Sequence, residues 1–256
     1  MDLEWYLYVI VLASGIVCGI INTLAGGGSL ITLPVLMTVI SGENSAAEAN
    51  VTNRLGFLFQ CIVASVRFKK KKTFEWSWGM RPAIPLMLGT LIGAWIAVHV
   101  PNDIIRQATG VILIFMLPVI FLRPEKWLKN KVTAMPEIKW WLYPVYFALG
   151  IYAGFLQAGI GYFLLILLVL GTGYDLLTAN SIKVFVVLFT TVASLIVFFI
   201  YANKVKIHYD VGILQAAGQA AGAWLGVKFA TTWKPQIIRW LLIALITAFA
   251  VKLLVF

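Results

Sequence analysis

One pattern of spaced glycines is written twice in this chain, and it limits the fold more than any other feature. Gly15-Ile-Val-Cys-Gly19-Ile-Ile-Asn22-Thr-Leu-Ala-Gly26 returns as Gly150-Ile-Tyr-Ala-Gly154-Phe-Leu-Gln157-Ala-Gly-Ile-Gly161, with an amide side chain three residues after the second glycine in each copy. Further echoes keep the same order. Ala49-Asn50 precedes Ala179-Asn180, and Gly89-Thr-Leu-Ile-Gly93-Ala94-Trp95 precedes Gly218-Gln-Ala-Ala-Gly222-Ala223-Trp224. Ile104-Ile105-Arg106 and Ile237-Ile238-Arg239 close the series. Duplicated halves inside a very apolar chain are the mark of a secondary transporter, whose substrate site lies where the halves meet.

The chain is that apolar. Of its 256 residues 61% are hydrophobic and only 12% charged, whereas about a quarter of a soluble domain is charged. So few charges cannot cover a water-facing surface, so the fold class expected is an all-α polytopic membrane protein. Ten Trp, nine Tyr and sixteen Phe suit the two lipid–water interfaces. The net charge of +10 is not a nucleic-acid surface, because the cations fall in short bursts between apolar runs. These are Arg67 with Lys69 to Lys72, then Arg123, Lys126, Lys129, Lys131 and Lys139, then Lys204 and Lys206. Such bursts mark cytoplasmic loops, and Lys69 to Lys72 can also meet anionic membrane lipid. Cys18 and Cys61 lack the spacing of a metal site or disulfide framework, and no cofactor is expected. Met1-Asp2-Leu3-Glu4 has no positive n-region of a cleaved signal, so the first apolar segment is expected to stay as an anchor.

Crossing the hydrocarbon core takes roughly 20 apolar residues. Candidates lie near Trp5–Ala25, Ala46–Phe68, Trp78–Val98, Ile104–Leu122, Trp140–Ala158, Thr178–Tyr201, Val211–Thr231 and Ile237–Val255, four in each half. The halves are residues 1–122 and 140–256, joined by a basic cytoplasmic linker at 123–139. Leu30–Ile40 and Tyr162–Leu170 are too short to span. Each follows a glycine break, near Gly26–Gly28 and Gly159–Gly161, and reads as the second limb of a broken helix or of a re-entrant hairpin. The basic loops at Arg67–Thr73 and Arg123–Lys139 are expected in the cytoplasm and Val98–Asp103, without cations, outside. Counting onward in single crossings puts Lys204 and Lys206 in the cytoplasm as well. That fits eight spans, or nine with the N-terminus outside, and speaks against ten.

The candidate substrate-binding residues gather around the breaks. Ala25-Gly26-Gly27-Gly28-Ser29 opens onto a short helix whose first N–H groups and positive end can cradle an anion; a plain packing kink is the alternative. Asn22 and Gln157 hold matched places before the breaks, with Thr23 beside Asn22. Amides near the membrane centre need partners, either a substrate or a neighbouring helix. Arg54 and Lys183 lie inside apolar segments, one helical turn after Asn50 and Asn180, with Asn53 in the same turn as Arg54. Intramembrane charge marks a functional pathway, although snorkelling to an interface is the ordinary alternative. One cation per half points to a small anionic substrate. Gly89/Gly93 and Gly218/Gly222 serve close helix packing, within the chain or between protomers of a homodimer. Walker loops, zinc spacings and nucleophile–base pairs are absent from the sequence, which argues against an enzyme.

Gly15-x-x-x-Gly19, Gly26-Gly27-Gly28 and Pro34 together resemble the first half of the sulfite exporter TauE/SafE family. Gly154-Phe-Leu-Gln157-Ala-Gly-Ile-Gly161-Tyr, followed by Ala179-Asn180-Ser-Ile-Lys183, is similar to its second-half motif. The likeness covers essentially the whole chain. It implies an inner-membrane carrier for sulfur-containing anions such as sulfite, or organosulfonates such as sulfoacetate. Asn22-Thr23-Leu24 is a departure, being more polar than expected before the first glycine cluster. By themselves the residues specify an anion carrier with an internal repeat, and leave a carboxylate carrier, a passive anion channel or a lipid-binding assembly protein as alternatives.

Overall fold

The computed structural model describes residues 4–70, 76–121 and 138–229. The expected eighth span near Ile237–Val255, most of the linker at 123–139 and Lys71 and Lys72 lie outside the described residues. Regular structure among the described residues is helical: α1 (Trp5–Leu24), α2 (Ser29–Val39), α3 (Ser45–Lys70), α4 (Trp76–His99), α5 (Asn102–Phe121), α6 (Leu142–Phe155), α7 (Ile160–Ile166), α8 (Leu176–Ile200) and α9 (Tyr209–Phe229). A π-helical turn, Leu167–Gly171, prolongs α7. Each expected segment in this range coincides with a helix. Among the described residues α1, α8 and Ser77–His99 of α4 are long and apolar enough to cross a membrane. In α3 the apolar run is diluted by the polar turn Asn50, Thr52, Asn53 and Arg54, all buried.

Caps explain where two of the long helices begin. Asp175 accepts the N–H groups of Leu177 and Thr178 at the start of α8. The α3 start is capped from elsewhere, since Asn102 Oδ1 accepts from the Ala46 and Ala47 nitrogens at 2.9 and 3.0 Å.

The two glycine breaks are turns of helical hairpins, not kinks in continuous helices. After the first break α2 folds back along α1. A methyl group on Gly28 would stand 2.8 Å from Cys18 Sγ and 2.9 Å from Asn22 Cβ, and Thr32 Oγ1 donates to Cys18 Sγ at 3.7 Å. After the second, α7 folds back along α6. The Tyr152 and Phe163 rings meet edge to face at 5.7 Å, and the Tyr152 hydroxyl donates to the Ala158 carbonyl. At the base of this hairpin Gly171 packs on Leu142, the first residue of α6.

The glycine pairs noted in the sequence find one another within the chain. Gly15 and Gly19 of α1 lie against Gly218 and Gly222 of α9, while Gly150 and Gly154 of α6 lie against Gly89 and Gly93 of α4. Side chains there would strike facing backbone, and small residues are what let apolar helices pack closely where lipid competes equally for apolar surface. Helix contacts therefore cross between the halves. One bundle joins α1 and α3 to α9, the other joins α6 and α8 to α4, and α3 with α8 forms the seam.

Ring and side-chain contacts fix which loops share an end. At one end Trp78 stacks on Tyr174 at 5.8 Å. At the other, His99 meets Tyr201 at 5.2 Å and His208 Nε2 is 2.6 Å from Glu48. Glu48 lies in the first turn of α3 and Arg67 in its last, about 30 Å apart at 1.5 Å per residue. Lys204 and Lys206 accordingly lie at the end of the bundle opposite Arg67 and Lys70. This corrects the expectation that they share the face of the Lys69 to Lys72 loop. The reason is parity: α6 turns back at its glycine break and the return limb ends beside the start of α6, so counting the pair as one span reverses every later loop.

Candidate functional site

The turns of the two hairpins meet tip to tip. Gly26 has φ of 93° and Gly159 of 69°, left-handed conformations that glycine adopts freely. A methyl group on Gly26 would overlap the backbone of Gly161 and Tyr162. Ser29 bridges the tips, its Oγ accepting the Gly159 N–H at 2.8 Å and donating to the Gln157 carbonyl at 3.4 Å. Gln157 itself is left-handed, with φ of 60°, which is uncommon for a residue with a side chain. Its Nε2 donates to Thr191 Oγ1 of α8 at 2.8 Å.

The matched residues both lie at this contact, Asn22 through its side chain and Gln157 through its backbone carbonyl. Asn22 Oδ1 stands 3.1 Å from where a Cβ of Gly161 would be, and Gln157 is four residues before that glycine. Asn22 Oδ1 and Gln157 Oε1 are buried and have no hydrogen-bond partner among the described residues. Leaving such an acceptor buried and unpaired costs about 1–3 kcal/mol. Two of them in residues that form one contact between the two hairpins call for an explanation beyond packing.

The buried cations hold the ends of the hairpins' first limbs, each from the other half. Arg54 Nη1 donates to the Ala153 carbonyl at 3.2 Å and Nη2 to Gly154 at 2.6 Å. Asn50 Nδ2 takes the next carbonyl, Phe155, at 2.8 Å. These are last-turn carbonyls of α6, which have no partner within the helix and sit at its negative end. The Arg54 guanidinium also lies 4.8 Å from the centroid of the Phe198 ring. Reciprocally, Lys183 Nζ donates to the Asn22 carbonyl at 2.7 Å and to Asn180 Oδ1 at 2.6 Å. Asn180 Nδ2 donates to the Leu24 carbonyl at 3.0 Å. Both cations are 1% exposed, so neither snorkels. Helix-end carbonyls do for them what water would do at a surface, and that is why a cation is tolerated there.

Two expected residues point elsewhere. Thr23 packs on Gly226 of α9, 2.9 Å from where its Cβ would be, and Asn53 Oδ1 accepts from Gln219 Nε2 of α9 at 3.4 Å. Residues unremarked in the sequence matter instead. Thr191 positions Gln157, and Gln215 and Gln219, four apart on α9, are fully buried. Among the described residues neither amide atom of Gln215 is paired. Intramembrane glutamines at helical spacing were a readable signal.

Apolar helices arranged around a buried polar crossing of two helical hairpins define a membrane transporter in build. The chain belongs to the family described as Sulfite exporter TauE/SafE, whose profile matches residues 11–253. It is 26% identical over 253 residues to the probable membrane transporter protein ORF9 of Sinorhizobium sp, covering 99% of this chain and 94% of that protein. It is 25% identical over 242 residues to the probable membrane transporter protein YfcA of Escherichia coli strain K12, covering 92% of this chain and 85% of that protein. A probable membrane transporter protein of Haemophilus influenzae is 25% identical over 239 residues, covering 93% and 91% respectively. No solved structure matches the chain.

Proposed function

We propose that this protein is a secondary carrier for small sulfur-containing anions, sulfite or organosulfonates such as sulfoacetate, in the inner membrane, and that the anion binds where the hairpin tips meet. The observation that carries the reading is the tip contact between residues that include Asn22 and Gln157, whose buried amide oxygens have no partner among the described residues. The sulfur chemistry comes from the family alone.

In this reading the chain is an internal repeat whose halves insert in opposite senses, one hairpin entering from each face. Opening the tips frees the N–H groups of Gly27, Gly28 and Ser29 at the start of α2, which lack intrahelical acceptors. A half-turn of each terminal amide presents its N–H groups to the anion oxygens. Arg54 and Lys183, framed by Asn50 and Asn180, supply positive potential behind the hairpin ends without leaving their carbonyls. Thr23 and Asn53 support this frame from the α9 side. Alternating access then moves the α1–α3–α9 bundle against the α4–α6–α8 bundle, since the glycine contacts tie each bundle together across the two halves. The Lys70 end faces the cytoplasm.

Uptake of labelled sulfite, sulfoacetate, sulfate and acetate into proteoliposomes, with and without a pH gradient, tests this. Saturable uptake of a sulfur anion with counterflow is expected. Preference for acetate would reassign the cargo to carboxylates, and linear, unsaturable flux without counterflow would replace the carrier by a channel.

A further inference from the structure

A groove on the outer surface between α3 and α9 lies far from the hairpin tips. It has a volume of about 420 Å³ and is lined by Ile62, Val63, Val66, Arg67, Lys70 and Trp224. Ile62 and Val66 are one helical turn apart, both exposed, and Trp224 forms the facing wall at 49% exposed. From Ile62 to Lys70 the apolar strip runs about 12 Å along the helix. Its upper end is cationic. The Arg67 guanidinium is stacked 4.3 Å from the centroid of the Trp224 ring, which fixes its plane, and Lys70 stands exposed one turn further on.

Cations in the last turn of a helix also complement its dipole, and that accounts for charge at the end of α3. It does not account for Arg67 Nη1, which is buried and has no hydrogen-bond partner among the described residues. A guanidinium clamped on an indole, with one nitrogen unpaired at the head of an apolar strip, is matched to a phosphate carrying an acyl chain. Tryptophan at this depth is what the headgroup level of a bilayer selects.

We propose that this groove is a binding site for an anionic phospholipid, its phosphate on Arg67 and Lys70 and an acyl chain along Ile62, Val63 and Val66. Lipid occupies the face where α3 and α9 are joined, so it braces the bundle that carries the first hairpin. The site is independent of the cargo.

Native mass spectrometry of the full chain in a neutral detergent, with added phosphatidylglycerol or phosphatidylcholine, tests it. Phosphatidylglycerol should be retained in preference. Arg67→Gln and Lys70→Gln should each weaken retention about fivefold, and the pair about thirtyfold, from the attraction expected per cation near a membrane surface. Lys204→Gln, at the other end, should change nothing. Val66→Trp keeps every cation but fills the groove and should also expel the lipid. Melting without added lipid shows that each variant is folded. Equal retention of the two lipids, undiminished retention by the double variant, or full retention by Val66→Trp would each overturn the proposal.

Discussion

The first hairpin turns on a run of three glycines in which only Gly26 is left-handed, whereas the second turns on Gln157 and Gly159, both left-handed. Their return limbs differ too. The first leads into the regular eleven-residue α2, the second into a seven-residue α7 that loosens into a π-helical turn. Capping runs the opposite way. Three successive carbonyls at the end of α6 are taken by Arg54 and Asn50, but at the end of α1 Lys183 and Asn180 take two, and Lys183 uses a further bond on Asn180 itself. A planar guanidinium can span neighbouring carbonyls where an ammonium acts as a point. The hairpin with the more irregular return is thus the one more firmly pinned at its outgoing limb. The first is ordered along its length but held by fewer bonds at its tip, which makes it the better candidate for the moving part.

That comparison assumes hairpins entering from opposite ends, and an all-or-none labelling result can break it. In a background with Cys18 and Cys61 replaced by alanine, Lys70→Cys and Lys204→Cys should label from opposite sides of the membrane. An impermeant maleimide added to intact cells should modify Lys204→Cys alone. If both residues react from outside, or both only after lysis, one hairpin is a crossing and the pairing of tips has to be redrawn.

The unequal capping should show in stability. Arg54→Ala strands the carbonyls of Ala153 and Gly154, at about 1–3 kcal/mol for each buried group left unpaired. Lys183→Ala strands the Asn22 carbonyl and leaves Asn180 Oδ1 to find another partner, so roughly half that loss is expected. Thermal unfolding of the two variants in one detergent measures the difference. Equal or reversed midpoints would mean that the second hairpin is not the better anchored. Arg54→Lys should recover only part of the loss, because one ammonium cannot hold two carbonyls in the arginine's geometry.

Much of this arrangement was legible in residue order, and the exceptions have a common cause. Repeated glycines located both turns, and the helix-length apolar runs matched the helices wherever these are described. The burial of Arg54 and Lys183 followed from their position inside apolar segments. What could not be read was the partner of each cation, since a helix-end carbonyl is backbone and carries no mark in sequence. Nor could spacing tell a hairpin from a kinked span, and that ambiguity placed Lys204 and Lys206 on the wrong side. Asn22 and Thr23 are adjacent in sequence, yet on a helix neighbours point about 100° apart, so one meets the second hairpin while the other meets α9. The amides of α9 are uncharged and lie away from both glycine breaks, so neither of those two cues marks them.

The smallest expected effect is the most specific. Gln157 pays for its left-handed backbone about 1–3 kcal/mol, and its bond to Thr191 returns about 0.5–1.5. Gln157→Gly removes both, so stability should stay within about 1 kcal/mol of the parent. Asn22→Ala deletes an amide whose oxygen has no partner among the described residues, while the Asn22 backbone carbonyl still accepts from Lys183, so it too should fold normally. If the tips bind the anion, each folded variant should lose uptake by about tenfold or more, the scale of one hydrogen bond to a charged group. Measured side by side, Gln157→Gly and Asn22→Ala should fall together, because the two amides serve one shared position. Unchanged uptake in both would show that the tip contact is only a joint, and loss in one alone would assign the anion to a single hairpin.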